Sequence, residues 1–374
     1  MSKLNVGVVC YPSYGGSGVV ATELGLALAK RGHSIHFISY ETPFRLYGFD
    51  QHIQFHEVDM QSYPLFKYPL YTLALTSKII EVCEANRLDV LHVHYAIPHS
   101  ICAFLSRQML TGQDVKIVTT LHGTDITLVG QEKAYSRLVR FGIIESDRVT
   151  AVSQHLKDTT IREFSIDREI DYIPNFVDPV KFSPTEKKPK SLFVSDGEKM
   201  VIHVSNFRPV KNIETIIRSF QVIVKGVKSR LVLIGDGPDV ARARELAKEL
   251  DICDNITFLG RVEHLEDVLP SADLILLPSL QESFGLVLLE AMSCGVPTIS
   301  SNVGGIPELV DHGKSGYIYD PHDHEAMAKK AIEVLSEPKL QAELGNHGRH
   351  LAETVFNIDK VTDQYEKLYY DSLS

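Results

Sequence analysis

A short apolar run, a turn, an amphipathic helix and another apolar run form an alternation that starts at residue 4. It fades near residue 172 and starts again at residue 199. In the first half, residues 4–10 read as a strand, 11–18 as a glycine-rich loop, 19–30 as a helix closed by Arg31-Gly32-His33, and 35–39 as the next strand. Later runs at 90–95, 116–121 and 147–153 continue the series, with helices at 73–86 and 100–109. In the second half the strands fall at 200–205, 231–234, 256–260, 274–277 and 296–300, with a helix at 213–224. The run 274–277 is continuously apolar, the pattern of a parallel strand buried on both faces. The fold class is therefore α/β: two doubly wound, Rossmann-like domains, since 374 residues exceed one comfortable core. The expected boundaries are 1–172, a Lys/Pro/Ser-rich linker at 173–198, and 199–355. The amphipathic helix within 356–374 is expected to pack back on the first domain.

In open α/β sheets ligands bind at the carboxyl ends of the strands. The richest such end follows the run 272–277: a turn, then a helix stopped by Cys294-Gly295. Amides at a helix start favour a phosphate. Glu282 in the turn and Glu290, about two helical turns further on, add acceptors for sugar and ribose hydroxyls. The competing reading is a solvated helix with ordinary acidic residues. Arg208 and Lys211 stand three apart in the loop 206–212, fit to hold a diphosphate or merely to form a solvated pair. Gly15-Gly16-Ser17-Gly18 permits close backbone approach at a helix start, or simply a tight turn, and it lacks the G-x-G-x-x-G dinucleotide spacing. His122 ends the strand 116–121 and is read as functional. His92 and His94 share one face of their strand and are read as satisfied core histidines, since a metal would need a third ligand. Two such domains facing one another would bring Gly16, Tyr95, Thr120 and His122 to a cleft shared with Asn206, Arg208, Lys211, Glu282 and Glu290, closing when donor binds. The aromatic stretch 42–71 reads as an irregular binding loop or an interaction surface.

A formal charge of −10 argues against nucleic acid or an anionic membrane as the main partner. No run is apolar and long enough for a signal peptide or a membrane span. Five cysteines without a CxxC pair read as reduced thiols of a cytoplasmic protein. No Asp-x-Asp motif is evident to hold a divalent metal, so neither metal nor cofactor is expected.

Taken together, Gly15-Gly16-Ser17-Gly18, His122-Gly123-Thr124, Ser205-Asn206-Phe207-Arg208-Pro209-Val210-Lys211-Asn212, Gly235-Asp236-Gly237-Pro238 and Glu282-Ser283-Phe284-Gly285-Leu286 with Glu290 resemble the family 4 retaining glycosyltransferases of GT-B fold. The motifs stand in family order over nearly the whole chain. The resemblance implies that the Gly16 amide serves the diphosphate or acceptor region and that Arg208 and Lys211 bind the diphosphate. Glu282 would take donor-sugar hydroxyls beside the amides of Phe284, Gly285 and Leu286. Glu290 would hold the ribose, and His122 would contact the sugar near the reacting carbon. Residues 11–23 and 92–99 are similar to members that move N-acetylglucosamine from UDP-GlcNAc to the 2-hydroxyl of L-malate, the first step of bacillithiol biosynthesis. Ser17, Tyr95, Thr120 and Asn206 are then the acceptor-binding candidates, or else they only shape the cleft. Homo-oligomers are possible. The alternatives are a lipid or polysaccharide acceptor, with the aromatic run 66–71 on a membrane, a non-catalytic nucleotide-sugar sensor, and, remotely, an epimerase.

Overall fold

The computed structural model describes residues 2–48, 50–60, 70–185 and 187–374. The chain divides into two compact units, Met1–Asn175 with Ile358–Ser374, and Phe176–Asn357. Most of the aromatic run 66–71 lies outside the described residues.

Unit 1 runs β1 (Asn5–Val9), α1 (Gly16–Lys30), β2 (Ser34–Ser39), β3 (Ile53–Glu57), α2 (Tyr71–Asn86), β4 (Val90–His94), α3 (Ile101–Met109), β5 (Lys116–Leu121), α4 (Lys133–Glu145), β6 (Arg148–Ala151), α5 (Gln154–Phe164) and β7 (Asp171–Tyr172). Its seven strands lie in the order β3-β2-β1-β4-β5-β6-β7, and every pairing is parallel. β1 and β4 sit at the centre and are buried on both faces, with Val6, Val8, Val9, Val90, Leu91 and Val93 in the core and His92 and His94 buried on one face of β4. The edge strands β3 and β7 were not expected. They carry partly exposed side chains, so neither shows the continuous apolar run that marks an interior strand. Ser153 caps α5, its hydroxyl accepting from the Leu156 amide at 3.1 Å.

Unit 2 runs β8 (Lys199–Val204), α6 (Ile213–Gly226), β9 (Ser229–Ile234), α7 (Val240–Glu249), β10 (Ile256–Gly260), β11 (Leu274–Leu277), α8 (Leu286–Ser293), β12 (Thr298–Ser301), α9 (Ile306–Leu309), β13 (Gly316–Tyr319), α10 (His324–Ser336) and α11 (Pro338–Thr354). The order is β10-β9-β8-β11-β12-β13, again all parallel. α6 shows how the sequence builds this layer. Ile213, Ile216, Ile217, Phe220 and Ile223 recur at helical spacing, and all are buried in the core against β8, β9 and α10. Full burial of each such side chain contributes roughly 1.5–3 kcal/mol.

Two boundaries differ from expectation. The first crossing between units falls at Asn175/Phe176, and residues 176–198 belong to unit 2 instead of spanning freely. Phe176, Val177, Phe182 and Val194 are buried there, which a solvated linker would not allow. The last helix, α12 (Ile358–Leu373), belongs to unit 1, while Phe356 and Asn357 stay with unit 2. α12 buries Val361, Thr362, Tyr365, Leu368 and Tyr369, and its outer side holds Arg31 through Glu366 and Asp363. All five cysteines are free, with only Cys253 exposed. Among the described residues no helix is long and apolar enough to cross a membrane.

Candidate active site

Each sheet reverses its winding once, and a reversal opens a crevice at the carboxyl ends of the two strands beside it. In unit 2 the reversal falls between β8 and β11, so the loops after these strands meet. Arg208 and Lys211 lie in the first loop and Glu282 in the second. The loops are bonded directly: the Leu280 amide donates to the Val210 carbonyl at 2.8 Å. Asn212, at φ +53°, completes the clasp, its side-chain amide donating to the carbonyls of Pro278 at 3.0 Å and Pro321 at 2.8 Å.

Within that frame the ammonium of Lys211 donates to Glu282 Oε2 at 2.7 Å, with both side chains less than a fifth exposed. Arg208 is exposed, and the Asn206 side chain, with its oxygen toward Arg208, accepts from Nε at 3.1 Å and Nη2 at 3.2 Å. Beneath them His203 bridges β11 and the loop, with Nδ1 donating to the Leu276 carbonyl at 2.9 Å and Nε2 lying 2.8 Å from Ser205 Oγ. Glu282 is fixed from behind. Its carbonyl accepts from the Gly305 amide at 3.0 Å, and a Cβ on Gly304 (φ +59°) would come within 1.8 Å of that oxygen. A Cβ on Gly237 would likewise meet the Asn206 carbonyl oxygen at 2.0 Å, which accounts for the glycine in that turn.

Glu282 lies in the turn ahead of the helix, as expected. Residues 282–285 form a turn, Gly285 sits at φ +94°, and α8 begins at Leu286. Glu290 is thus one turn into α8, not two, and is buried. It faces Cys294, whose thiol is pushed up to about 12 by burial first and by Glu290 next. The first turn of α8 leaves its amides without helical acceptors, so the stretch Phe284-Gly285-Leu286 presents N–H donors at the positive end of the helix.

In unit 1 the reversal falls between β1 and β4. α1 begins there at Gly16, three residues earlier than expected, and Ser17 Oγ lies 2.6 Å from the Tyr95 hydroxyl at the end of β4. Tyr95 has φ +102°, a strained value for a side-chain-bearing residue. Its amide donates to the Thr120 carbonyl at 2.9 Å. The neighbouring Ala96 amide donates to Asp125 Oδ2 at 2.8 Å, while Asp125 Oδ1 accepts from the Gly123 amide at 3.0 Å. Asp125 therefore ties the Tyr95 and His122 turns together. Burial pushes its carboxyl up to about 6, against the pull of those amides. An acidic residue three after a strand-end histidine was the available signal for this role, as Asn212 ahead of α6 was in unit 2.

Thr120 corrects an expectation. It is fully buried and its hydroxyl is occupied: His92 Nε2 and Thr150 Oγ1 each lie 2.7 Å away, and Tyr365 lies at 3.4 Å. One hydroxyl has one donor and two acceptor positions, so none is left for a ligand. Asn206 sits beside Arg208 in unit 2, whereas Ser17 and Tyr95 belong to unit 1. His92 is the satisfied core histidine expected, its second nitrogen 2.7 Å from Tyr369 OH. His94 is not: Nδ1 is 2.8 Å from His122 Nε2, but its own Nε2 is buried without a partner. His99 Nδ1 donates to the His94 carbonyl at 2.5 Å, so Nε2 must accept from Tyr71 OH at 3.1 Å. Burial holds His92 and His122 at about 3 and His99 at about 4. Among the described residues no group of three or more His, Cys, Asp or Glu is arranged to hold a metal.

Two doubly wound units, each with polar residues gathered at its switch point, are the architecture of the GT-B glycosyltransferases. Residues 14–181 match the Glycosyltransferase Family 4 model and residues 184–351 the model for glycosyl transferases group 1. The chain is 48% identical to the N-acetyl-alpha-D-glucosaminyl L-malate synthase of Bacillus anthracis, over 99% of this chain and 98% of that one. It is 33% identical to the D-inositol 3-phosphate glycosyltransferase of Rhodococcus jostii over 56% of this chain and 50% of that one. Among solved structures, sucrose-phosphate synthase from Thermosynechococcus elongatus superposes with a TM-score of 0.83 at 24% identity, covering 99% of each chain. Anabaena HepE in complex with UDP and glucose gives 0.81 at 18% identity, covering 98% of this chain and 99% of that one. The chain belongs to the family 4 glycosyltransferases.

Proposed function

We propose that this glycosyltransferase moves N-acetylglucosamine from UDP-GlcNAc to the 2-hydroxyl of L-malate, retaining the α configuration. The observation that carries the reading is the 48% identity, across 99% of the chain, to the Bacillus anthracis enzyme of that name. The switch-point residues support it chemically. In unit 2 the diphosphate would lie on Arg208, Lys211 and the first amides of α8, Phe284 to Leu286. Glu282 would accept from sugar hydroxyls and Glu290 from the ribose. The Lys211–Glu282 pair fits both roles, because each group neutralises the other until a ligand supplies phosphate to one and hydroxyls to the other. In unit 1, the Gly16 amide with the Ser17 and Tyr95 hydroxyls would serve malate, and His122 would contact the sugar. Thr120 drops out because its hydroxyl is taken.

In the proposed step the bond from C1 to the phosphate oxygen breaks while the malate 2-oxygen bonds C1 from the same face. The leaving phosphate oxygen takes the malate hydroxyl proton. Charge growing on UDP would be offset by Arg208 and Lys211, with no metal or cofactor required of this chain. UDP release with L-malate, with succinate and with neither tests the acceptor, since succinate has both carboxylates but no 2-hydroxyl. Release with L-malate alone is expected. Equal release in all three would mean hydrolysis or another acceptor. Arg208→Ala with unchanged turnover at saturating donor would overturn the leaving-group role.

A further inference from the structure

We infer that His94 is a positioning residue that fixes the tautomer of His122, so that His122 presents Nδ1–H, a hydrogen-bond donor, to its substrate. The inference deepens the proposed function and rests on it only for the identity of that substrate. Its basis is geometric. His94 Nδ1 and His122 Nε2 are 2.8 Å apart, so one nitrogen carries the proton and the other accepts it. If His122 donated, His94 would keep its proton on Nε2, a buried nitrogen with no partner. A buried orphan N–H is among the rarest features of folded proteins, whereas a buried lone pair without a donor is less costly. His94 Nδ1–H therefore donates to His122 Nε2, and the His122 proton sits on Nδ1.

The surroundings keep both rings neutral. The charged neighbour nearest in the chain, Asp125, spends its oxygens on the Ala96 and Gly123 amides. The rings packed around the pair are His92, Tyr95 and His99, and burial lowers the histidines well out of the charged range. The rings of His94 and His122 stack at 5.1 Å with 22° between planes, which holds the hydrogen bond in register. His122 is itself partly exposed, so its Nδ1 side is the one a ligand can reach. A ring with Nδ1–H cannot take a proton at that atom, and the chemistry assigned is donation to a substrate oxygen, not base catalysis.

Two-bond ¹H–¹⁵N correlation of histidine-labelled protein without ligand tests this, with the His122→Gln spectrum identifying the His122 signals. The expected result is His122 in the Nδ1–H form in the wild type. His94→Asn, whose amide nitrogen stands near the position of Nδ1, should preserve that form and keep kcat within about threefold. His94→Leu should shift His122 toward Nε2–H and lower kcat about tenfold with little change in KM for the donor. Wild-type His122 in the Nε2–H form overturns the inference, as does a His94→Leu protein whose His122 tautomer is unchanged. If His94→Leu does not fold, the wild-type spectrum still decides. Because that spectrum needs no substrate, an Nδ1–H result with no malate-dependent turnover would sink the functional reading and leave this one standing.

Discussion

At the residue scale the Lys211–Glu282 pair is the most informative contact, because the two proposed roles compete for it. Glu282→Ala should lower kcat/KM for UDP-GlcNAc about a hundredfold, the loss of hydrogen bonds from sugar hydroxyls to a carboxylate. UDP alone needs Lys211 but not Glu282, so its affinity by calorimetry should hold or rise. A parallel fall in UDP affinity would contradict the assignment. The histidines of unit 1 make a second prediction. Their folded pKa values of about 3, 4 and 3 for His92, His99 and His122 lie below the ordinary 6.5, and His94 lies well below it too. The unfolded chain therefore binds protons first. The stability these residues contribute is present above pH 6.5 and is lost as pH falls toward 4 and 3. Asp125, raised from 3.8 to about 6, opposes them, since its folded form protonates first in that window. His36 and His203, at about 4, and His56, also lowered, act in the same direction, so the depressed histidines outweigh one raised carboxyl, at about 1.4 kcal/mol per pH unit for each histidine that titrates. The urea midpoint followed by tyrosine fluorescence should fall between pH 7 and pH 5, and an unchanged midpoint would contradict the burial argument.

At the element scale the loops after β8, β11 and β12 act together. Gly304→Ala adds a Cβ where only 1.8 Å separates it from the Glu282 carbonyl oxygen. It should move Glu282 and cut kcat/KM at least tenfold while the melting temperature falls by only a few degrees. Asn212→Ala removes two hydrogen bonds and a left-handed residue, and should cost about 2–3 kcal/mol in urea unfolding. The interior strands were legible because short, mostly apolar runs recur between helices and turns. β3, β7 and β13 were not, since an edge strand such as Gly316–Tyr319 is half exposed and mixes polar with apolar character. That Glu282 lies in a turn ahead of α8 was legible, but the distance to Glu290 along the helix was not, because the positive φ of Gly285 that delays the helix to Leu286 is a tertiary decision. Arg208, Lys211 and Glu282 could be read as neighbours from their strand-end positions alone. Thr120 could not be excluded that way, because its partners His92, Thr150 and Tyr365 come from three other elements.

On the scale of the whole molecule, the restart of the α/β alternation announced two units, but composition misjudged where they part. Residues 176–198 look like a linker by their Lys, Pro and Ser content, yet four of their apolar side chains are core residues of unit 2. Each unit carries its own switch-point set, Ser17, Tyr95 and His122 in one and Arg208, Lys211 and Glu282 in the other. These sets are predicted to serve one reaction with one acceptor. The most direct test is to incubate the enzyme with UDP-GlcNAc and L-malate and determine the product's mass and the configuration at C1. The predicted result is one α-linked GlcNAc–malate formed for each UDP released. A β-linked product, or UDP release that ignores malate, would contradict it.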